Sequence, residues 1–465
     1  MSVTSSPKTN QCRIVRSKVC ENLVNVTSSS TLFRGGFYFM DVKYPICCGV
    51  DVHKSFLVAV IVKDSQPKPQ YIKKRFSTFN NDLEEFKKWL IGNDCLFMCM
   101  ESTGKYWVPV FNILEDKINI TVANPKWVRA IKGEKDDNKD AKWIADLFRL
   151  GLVRGSYIPS KEIRVLREFT RYKYKLTGLR SGEMNRYHNC LTVGNLAVDH
   201  VFSDIFGKSS QAIIDYILNT DSANFNDDYC LSLLDKRGKR KSTNEEILNA
   251  VKNSSFTDAQ KTRISIVKEH LDYITNSISR LESEIDSLVA PYEMYIDLLT
   301  TIPGMDRNSA IITLSEISCD MSHFDSSRRL CSWAGLVPSN NQSAGKKKSV
   351  KISRAGVYLK PCLVQVAHAA VKDTTNPYYT NKFNRISKRR GKKRAIIAIA
   401  RMILTAIHHM ISTGEYWKPS DLESAEMPAE VKIKLAKSDL QRSLKTLLSN
   451  GYTIEDITNG FLSIT

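Results

Sequence analysis

Two acidic residues, Asp51 and Glu101, lie within or directly after runs of apolar residues. Asp51 lies in the run Ile46–Val52, where apolar residues alternate as they do in a half-buried strand. Glu101 directly follows a second apolar run, Leu96–Met100, and so ends a predicted buried strand. A buried carboxylate without a compensating partner is costly, so each position requires a cation or a set of hydrogen-bond donors.

Two further acids, Asp137 and Asp140, are three residues apart in a segment that leads into a predicted helix, so both fall on one helical face. With the two strand acids they offer enough oxygen ligands for one or two hard cations. Such a site can activate a nucleophile and stabilise a leaving oxygen. The alternative for the helix pair alone is a solvated, charged helix start. Taken in order along the chain, the four acids favour a ribonuclease-H-like nuclease fold over a structural network.

The elements that must position these acids are strands and helices in mixed order. Phe56–Val62 continues the first strand as a hairpin, and Ile118–Ala123 predicts another short strand. Helical spacing is found at Leu83, Phe86 and Leu90, and helices are also predicted at Val108–Leu114 and Trp143–Leu150. We therefore expect an α/β domain over residues 40–160.

A basic helix is predicted from Ile163 to Leu191. Its cations include Arg164, Arg167 and Arg171, which we interpret as contacts to nucleic acid; the alternative is an ordinary solvated helix face.

Further along, a heptad seam favours coiled-coil pairing, including pairing between protomers, over a helix that packs within its own domain. The seam consists of Ile264, Val267, Leu271, Ile274, Ile278, Leu281, Ile285 and Leu288. Residues 161–290 are thus expected to form a basic-helix and coiled-coil region that assembles a homo-oligomer, a dimer or tetramer.

Positive charge is concentrated towards the C-terminal end. The net charge is +19, and residues 326–414 contain 18 Lys and Arg but one acid, Asp373. An isolated fold gains nothing from such self-repulsion, whereas a polyanion neutralises it and releases counterions. DNA is therefore the expected partner. The cations that we assign to nucleic-acid binding in this segment are Lys346, Lys347, Lys348, Lys351, Arg354, Lys392, Lys393 and Arg394.

Composition and patterning also bear on location and on the ends of the chain. The 11 cysteines show no zinc-ligand spacing and are interpreted as reduced core residues. We find no apolar run of the ~18 residues that a membrane span requires and no secretory signal, so we expect a cytoplasmic, nucleoid-associated protein with no membrane partner. Residues 1–39 are interpreted as a disordered extension, or as sequence upstream of a true start at Met40. Residues 291–415 are expected to form a mainly helical domain, and 416–465 a tail.

Short sequence blocks follow one another over residues 45–415. The N-terminal blocks are Gly49–Lys54 (GVDVHK), Met100–Trp107 (MESTGKYW), Val122–Pro125 (VANP) and Lys135–Ala141 (KDDNKDA). The C-terminal blocks are Leu299–Gly304 (LTTIPG), Trp333–Ser339 (WAGLVPS), Gln342–Gly345 (QSAG), Ile352–Gly356 (ISRAG) and Gly391–Ala395 (GKKRA). Together they resemble the DEDD insertion-sequence transposases, the family that includes the Piv-type invertases and bridge-RNA-guided recombinases. Several blocks in the same order are far more specific than any one of them.

The resemblance implies a RuvC-like N-terminal domain in which Asp51, Glu101, Asp137 and Asp140 are the metal-binding and catalytic acids. It also implies a coiled-coil middle, a C-terminal transposase domain, Mg²⁺ and, in many members, a structured guide RNA encoded beside the gene. Family members carry a nucleophilic serine in a P-S-x-x-Q-S-G-like block. That serine is Ser343 here, followed by alanine where the family pattern has glycine, and Ser339 is the second candidate.

A serine attacks a phosphodiester only when it is deprotonated or strongly polarised, and the cations around Ser343 can stabilise the charge that develops on the phosphorus. Apart from the resemblance, Ser343 reads as an ordinary loop serine. The leading interpretation is a recombinase that cuts and rejoins DNA strands with metal-bound acids and this serine. The alternatives are a metal-dependent RuvC-like junction nuclease without a covalent serine step and an inactive nucleic-acid-binding remnant.

Overall fold

The chain forms two compact units, one up to Ser156 and one from Tyr157. The structure, a computed structural model, describes residues 42–65, 68–128, 137–220, 224–235, 242–252, 254–338, 341–343, 346–349, 351–419 and 421, with scattered positions from 433 to 453. At 126–127, 137–138, 341–343 and 346–349 it describes the backbone alone. The predicted N-terminal extension and most of the predicted tail therefore lie outside the described residues.

The first unit is an α/β unit built on a five-stranded sheet. Its elements are β1 (Ile46–Val52), β2 (Phe56–Lys63), β3 (Gln70–Ser77), α1 (Asn80–Gly92), β4 (Phe97–Glu101), α2 (Trp107–Leu114), β5 (Asn119–Ala123), α3 (Pro125–Val128) and α4 (Asp137–Arg149). The spatial strand order is β3-β2-β1-β4-β5. The pairs β1–β2 and β2–β3 are antiparallel, while β1–β4 and β4–β5 are parallel. The predicted hairpin and the α/β class of this unit are confirmed.

The central strands are apolar on both faces because helices cover both. On one face α4 packs on β1 and β2, with Ala141 against Val58 and Val60. On the other face Phe86 of α1 packs against Phe76 of β3, with 5.0 Å between the ring centroids. A strand covered on both sides reads as a nearly continuous apolar run, which is why β1 and β2 could be predicted.

The strand β3 was not predicted. It lies at the sheet edge, and six of its eight residues are exposed or half-exposed and polar or aromatic, so that Phe76 is its one buried side chain. An edge strand that packs on one side gives little periodicity to detect, and charged residues there also guard against pairing with other chains.

The second unit is mainly helical. Its helices are α5 (Lys161–Val193), α6 (Val198–Val201), α7 (Lys208–Asn219), α8 (Asp227–Ser232), α9 (Asn244–Lys252), α10 (Asp258–Val289), α11 (Glu293–Thr300), α12 (Arg307–Ile317), α13 (Ser327–Trp333), α14 (Leu359–Ala370), α15 (Tyr378–Arg390) and α16 (Lys392–Thr413). Two short strands, β6 (Asn341–Ser343) and β7 (Lys346–Ser349), form an antiparallel hairpin. A helical C-terminal part of the chain was predicted and is confirmed.

The two long helices α5 and α10 form an antiparallel pair within the chain. Leu176 near the middle of α5 packs on Ile274 and Ile278, whereas Tyr187 near its end shares a cluster with Ile264 at the start of α10. The heptad seam predicted on α10 is therefore used inside the same chain. Its residues are already buried or half-buried there, which agrees with the alternative of packing within the chain. Pairing between protomers through this seam is not supported, because burial within the chain leaves little apolar surface on it to offer.

The helices α6 to α9, which lie between α5 and α10 in the chain, were not predicted. These are short, and they close a separate apolar cluster with the adjoining ends of α5 and α10. Short helices offer too few turns for a 3.6-residue period to stand out, which explains the missing signal.

The C-terminal helices enclose the largest apolar core. It includes Ile163 of α5 and Val289 of α10, and one face of α16 is buried in it from Ala395 to Ile411. By length and composition α16 could cross a membrane, with a mean hydropathy of 1.6 in its most apolar window, which corrects the expectation that no segment is apolar and long enough to do so. Half of that window is buried inside this unit, as in the core helix of a folded domain.

The described cysteines are all free thiols, and eight of the nine are buried. Burial raises the pKa of Cys47 and of Cys99 to about 12, which keeps both as neutral thiols. Their interpretation as core residues is confirmed for the part of the chain that the structure describes.

Candidate active site and nucleic-acid surfaces

Asp51 and Glu101 are brought side by side by the pairing of β1 with β4. The two strands are parallel, with Gly49 opposite Cys99 and Val50 opposite Met100. The next step of this register places Asp51 opposite Glu101, the last residue of β4. Opposed residues on neighbouring strands point to the same face, and the strands are about 4.8 Å apart. Two carboxylates that are 50 residues apart in sequence therefore share one edge of the sheet.

The helix α4 crosses the sheet above these carboxylates. The Cys47 thiol lies 3.7 Å from the carbonyl oxygen of Ala145, and Gly49 lies directly beneath the Ala141 carbonyl. As β1 advances from Cys47 to Gly49, its contacts on α4 move back by one turn from Ala145 to Ala141, so α4 runs antiparallel to β1. The two steps are similar in length, since two strand residues advance about 6.6 Å and one helical turn about 5.4 Å. If the two elements continue in step, the first residue of α4 is expected over Asp51.

The predicted helix acids thus belong to the right element. Asp137 is that first residue of α4, described by its backbone, and Asp140 is half-buried one turn later. Among the described side chains, no three His, Cys, Asp or Glu residues are grouped closely enough to hold a metal ion. The structure brings Asp51 and Glu101 together and sets α4 over them, while a four-acid ligand set remains a prediction.

His53 is a site residue that the sequence analysis missed. Its Nε2 lies 3.1 Å from Oδ2 of Asp51, whose side chain is 14% exposed, and its ring centroid lies 4.5 Å from that of Phe56. A tight hairpin holds it there, because the His53 amide donates to the Phe56 carbonyl. Glu101 in turn accepts a hydrogen bond from Thr103 Oγ1 at 3.3 Å. A histidine two residues after a strand carboxylate lies on the same face of the strand, and that spacing was the available signal.

Gly49 is the second residue whose importance only the packing reveals. A Cβ at this position would lie 2.3 Å from both the Ala141 carbonyl oxygen and the Ala145 amide nitrogen. Both atoms belong to the backbone of α4, so no side chain can move aside. The absence of a side chain at Gly49 is what lets α4 sit close to β1, with its first turn over Asp51.

We expect Gly49→Ala to push α4 off the sheet and to destabilise the first unit by about 3 kcal/mol. Hydrogen exchange in the full chain should show lost protection of the α4 amides, and strand cleavage should fall with it. Gly92→Ala is the matched control, since a Cβ there meets nothing within 4 Å at the end of α1. Equal α4 protection in the two variants would contradict this account of Gly49.

The predicted nucleophile lies in the β6–β7 hairpin of the second unit. Ser343 ends β6 opposite Lys346, at the closed end of the hairpin. The structure describes the backbone alone at Ser343 and at Lys346, Lys347 and Lys348, and Ser339 lies outside the described residues, so the roles assigned to these side chains stay predictions. The cations that follow the hairpin or begin α16, namely Lys351, Arg354, Lys392, Lys393 and Arg394, are exposed.

Two cations of the basic helix are engaged within the protein. Arg167 donates to the carbonyls of Ser315 and Glu316 at 2.8 and 2.7 Å. Arg171 forms a bidentate pair with the Glu316 carboxylate at 2.6 and 2.7 Å, and that carboxylate is 5% exposed. A buried bidentate pair is strong and directional, so these guanidinium groups fasten α5 to α12. We therefore do not propose them as nucleic-acid contacts. Arg164, also assigned to nucleic acid, donates to a carbonyl just before α5 at 2.9 Å.

Two models of known protein families match parts of the chain. Residues 48–194 match a family model of DEDD type described as "Transposase", which spans β1 to the end of α5. Residues 296–385 match a model described as "Transposase IS116/IS110/IS902 family", which includes the β6–β7 hairpin. The two segments together cover just over half of the chain, and no curated protein matches it. The chain therefore belongs to the IS110 family of DEDD transposases, enzymes that act on DNA.

Proposed function

We propose that the protein is the recombinase of an insertion sequence, and that it cuts and rejoins DNA strands with a carboxylate metal site and Ser343 as nucleophile. The observation that carries this proposal is the parallel pairing of β1 and β4, whose register continues to Asp51 and Glu101, together with the packing of α4 on Gly49. The strand order β3-β2-β1-β4-β5, with its first three strands antiparallel, supports a ribonuclease-H-like, RuvC-like fold for the first unit.

The donor chemistry at this sheet edge fits a divalent cation. Two adjacent carboxylates repel each other and also repel a phosphodiester, so a cation is needed before DNA can approach. Asp51 and Glu101 would hold it, with Asp137 and Asp140 completing the oxygen ligands. Bound Mg²⁺ or Mn²⁺ would supply Lewis-acid stabilisation of charge on the phosphate. His53 would orient the Asp51 carboxylate through the contact at 3.1 Å.

The proposed reaction of Ser343 is a phosphoryl transfer. The Ser343 oxygen forms a bond to phosphorus, the bond from phosphorus to one strand oxygen breaks, and the proton released from the serine ends on the leaving hydroxyl. The covalent phosphoserine keeps the energy of the cut bond, so the reverse attack by a new strand end can rejoin DNA. Lys346, Lys347, Lys348, Lys351 and Arg354 would stabilise the negative charge that develops on the phosphorus oxygens.

DNA is the partner in this proposal, and a structured guide RNA is a second one that the charge of residues 326–414 could bind. A homo-oligomer, dimer or tetramer, remains part of the proposal but requires a surface other than the α10 seam. We place the protein in the cytoplasm with the nucleoid, where such a DNA-acting enzyme finds its substrate.

The test uses the full chain and duplexes that carry the DNA on either side of its gene, with and without RNA transcribed from that DNA. With Mg²⁺ or Mn²⁺ we expect cleaved strands and, after denaturation, a covalent protein–DNA adduct; with EDTA we expect neither. Cleavage without an adduct would favour the metal-dependent junction nuclease. Salt-sensitive binding with no cleavage in either metal would favour the inactive remnant.

A further inference from the structure

A groove of about 1780 Å³ lies along one face of α16, within the second unit. The residues that α16 contributes recur three and four positions apart, as expected for one helical face. They include Arg394, Ile397, Ala398, Arg401, Met402 and Thr405. The opposite face of α16 is buried in the core, so among the described residues it is this face that lines the groove.

The rim of the groove is strongly cationic. Its described lining holds one carboxylate, Asp421, which is paired with Lys382 and accepts from the Tyr378 hydroxyl at 2.6 Å. Among the described residues, no carboxylate lies within ion-pair distance of Arg394 or Arg401. The six Lys and Arg side chains of the lining are Lys351, Arg390, Lys393, Arg394, Arg401 and Lys418. The groove therefore favours a polyanion.

The floor of the groove is apolar and aromatic. Ile397, Ala398 and Met402 are half-buried, and Tyr416 at one end is 71% exposed. Beside it, the Trp417 indole N–H donates to the Tyr379 hydroxyl at 3.1 Å, which fixes the orientation of the indole. The phosphates of a ligand make no favourable contact with such a floor, whereas the faces of its bases stack on aromatic rings and pack on apolar side chains.

These features together distinguish between kinds of polyanion. A duplex keeps its bases stacked inside and presents phosphates outward, so it would leave the floor uncovered. An unpaired strand can lay its phosphates on the cationic rim and turn its bases inward. The volume also exceeds the roughly 300–1000 Å³ typical of small-molecule sites, which favours a polymer over a free nucleotide.

We propose that this groove binds an unpaired polynucleotide strand, either a DNA strand separated during exchange or a single-stranded segment of RNA. The inference rests on the proposed function for its biological setting, but its test measures binding and requires no cleavage. Arg394 and Arg401 hold the phosphates, and Tyr416 provides a stacking face.

The test compares Arg394→Glu/Arg401→Glu with the control Arg263→Glu/Arg280→Glu, which makes the same charge change at two exposed positions on α10. Fluorescence anisotropy of the full chain is measured with labelled oligo(dT), oligo(rU) and a duplex of equal length. We expect the groove variant to bind single strands at least tenfold more weakly, with less than a threefold change for duplex. The slope of log affinity against log salt should fall by about 1.4, at roughly 0.7 per lost phosphate contact. Tyr416→Ala should weaken single-strand binding at least fivefold. A preference between the two oligonucleotides identifies the natural strand as DNA or RNA.

Equal losses for single strands and duplex would overturn the proposal, because the groove would then be a general phosphate surface. So would a groove variant that binds like its control. A change in sedimentation mass without a change in strand affinity would instead make the groove a contact between copies of the chain. Asp51→Asn serves to separate the two proposals: it should bind single strands normally even though it does not cleave.

Discussion

A chain carrying Ser343→Ala will form no covalent protein–DNA adduct with DNA that the unchanged chain traps. The substitution removes a single oxygen, and with it the nucleophile, while the backbone of β6 keeps its pairing with β7. Without that oxygen there is no phosphoserine and no stored bond energy for rejoining. Denaturing gels of reactions with labelled duplex measure the adduct directly, and we expect its complete loss.

The controls for Ser343 come from the same sequence block. Ser339→Ala, the second candidate, should retain the adduct, because it removes a hydroxyl four residues away. If the adduct persists in Ser343→Ala and disappears in Ser339→Ala, the nucleophile has been assigned to the wrong serine. If it persists in both, the proposed serine chemistry is wrong.

Asp51→Asn should lower the rate of strand cleavage by roughly 10²- to 10³-fold, the size of effect found when one charge-stabilising group is removed from an active site. The change keeps the size and shape of the side chain but removes the negative charge that a divalent cation needs. DNA binding should stay within about twofold, since the cations that bind phosphate are elsewhere. Single-turnover cleavage and anisotropy on the same preparation separate the two quantities.

Asp94→Asn is the matched control for this carboxylate. Asp94 is exposed in the same unit and has a φ of 57°, a conformation that asparagine adopts as readily as aspartate. It should cleave at the normal rate. Glu101→Gln should lose as much activity as Asp51→Asn, and the double variant should be little slower than either, because groups that act as one unit are not additive. Cleavage by Asp51→Asn within tenfold of normal would rule out the metal site described here.

Several parts of this architecture could be predicted because their signals are local. The apolar runs around Asp51 and before Glu101 predicted β1 and β4, and the central residues of both strands are buried as expected. The spacing of Leu83, Phe86 and Leu90 predicted α1, and these three side chains are buried too. These patterns arise because burial on one or two faces imposes its period on a few consecutive residues. The order of the sequence blocks predicted the family, and the family matches at residues 48–194 and 296–385 confirm it.

The pairing of distant elements could not be predicted in this way. Strand periodicity says which residues share a face, but it does not say which strand lies alongside, so Asp51 could not be placed opposite Glu101. The same limit applied to α10: its heptad seam requires a partner helix without identifying it, and our interpretation favoured coiled-coil pairing that included another protomer. Only the fold showed that α5 is that partner.

The sequence by itself determined the family, the strands β1, β2, β4 and β5, several of the helices and the concentration of positive charge on the second unit. The tertiary structure decided the use of individual residues: Gly49 as the point where α4 approaches β1, His53 as the partner of Asp51, and Arg171 as a link to Glu316 rather than to nucleic acid. The physical reason is the separation along the chain over which each effect acts. Periodicity and charge are properties of neighbouring residues, whereas a steric contact or an ion pair depends on an atom far away in the sequence, as Glu316 is 145 residues from Arg171.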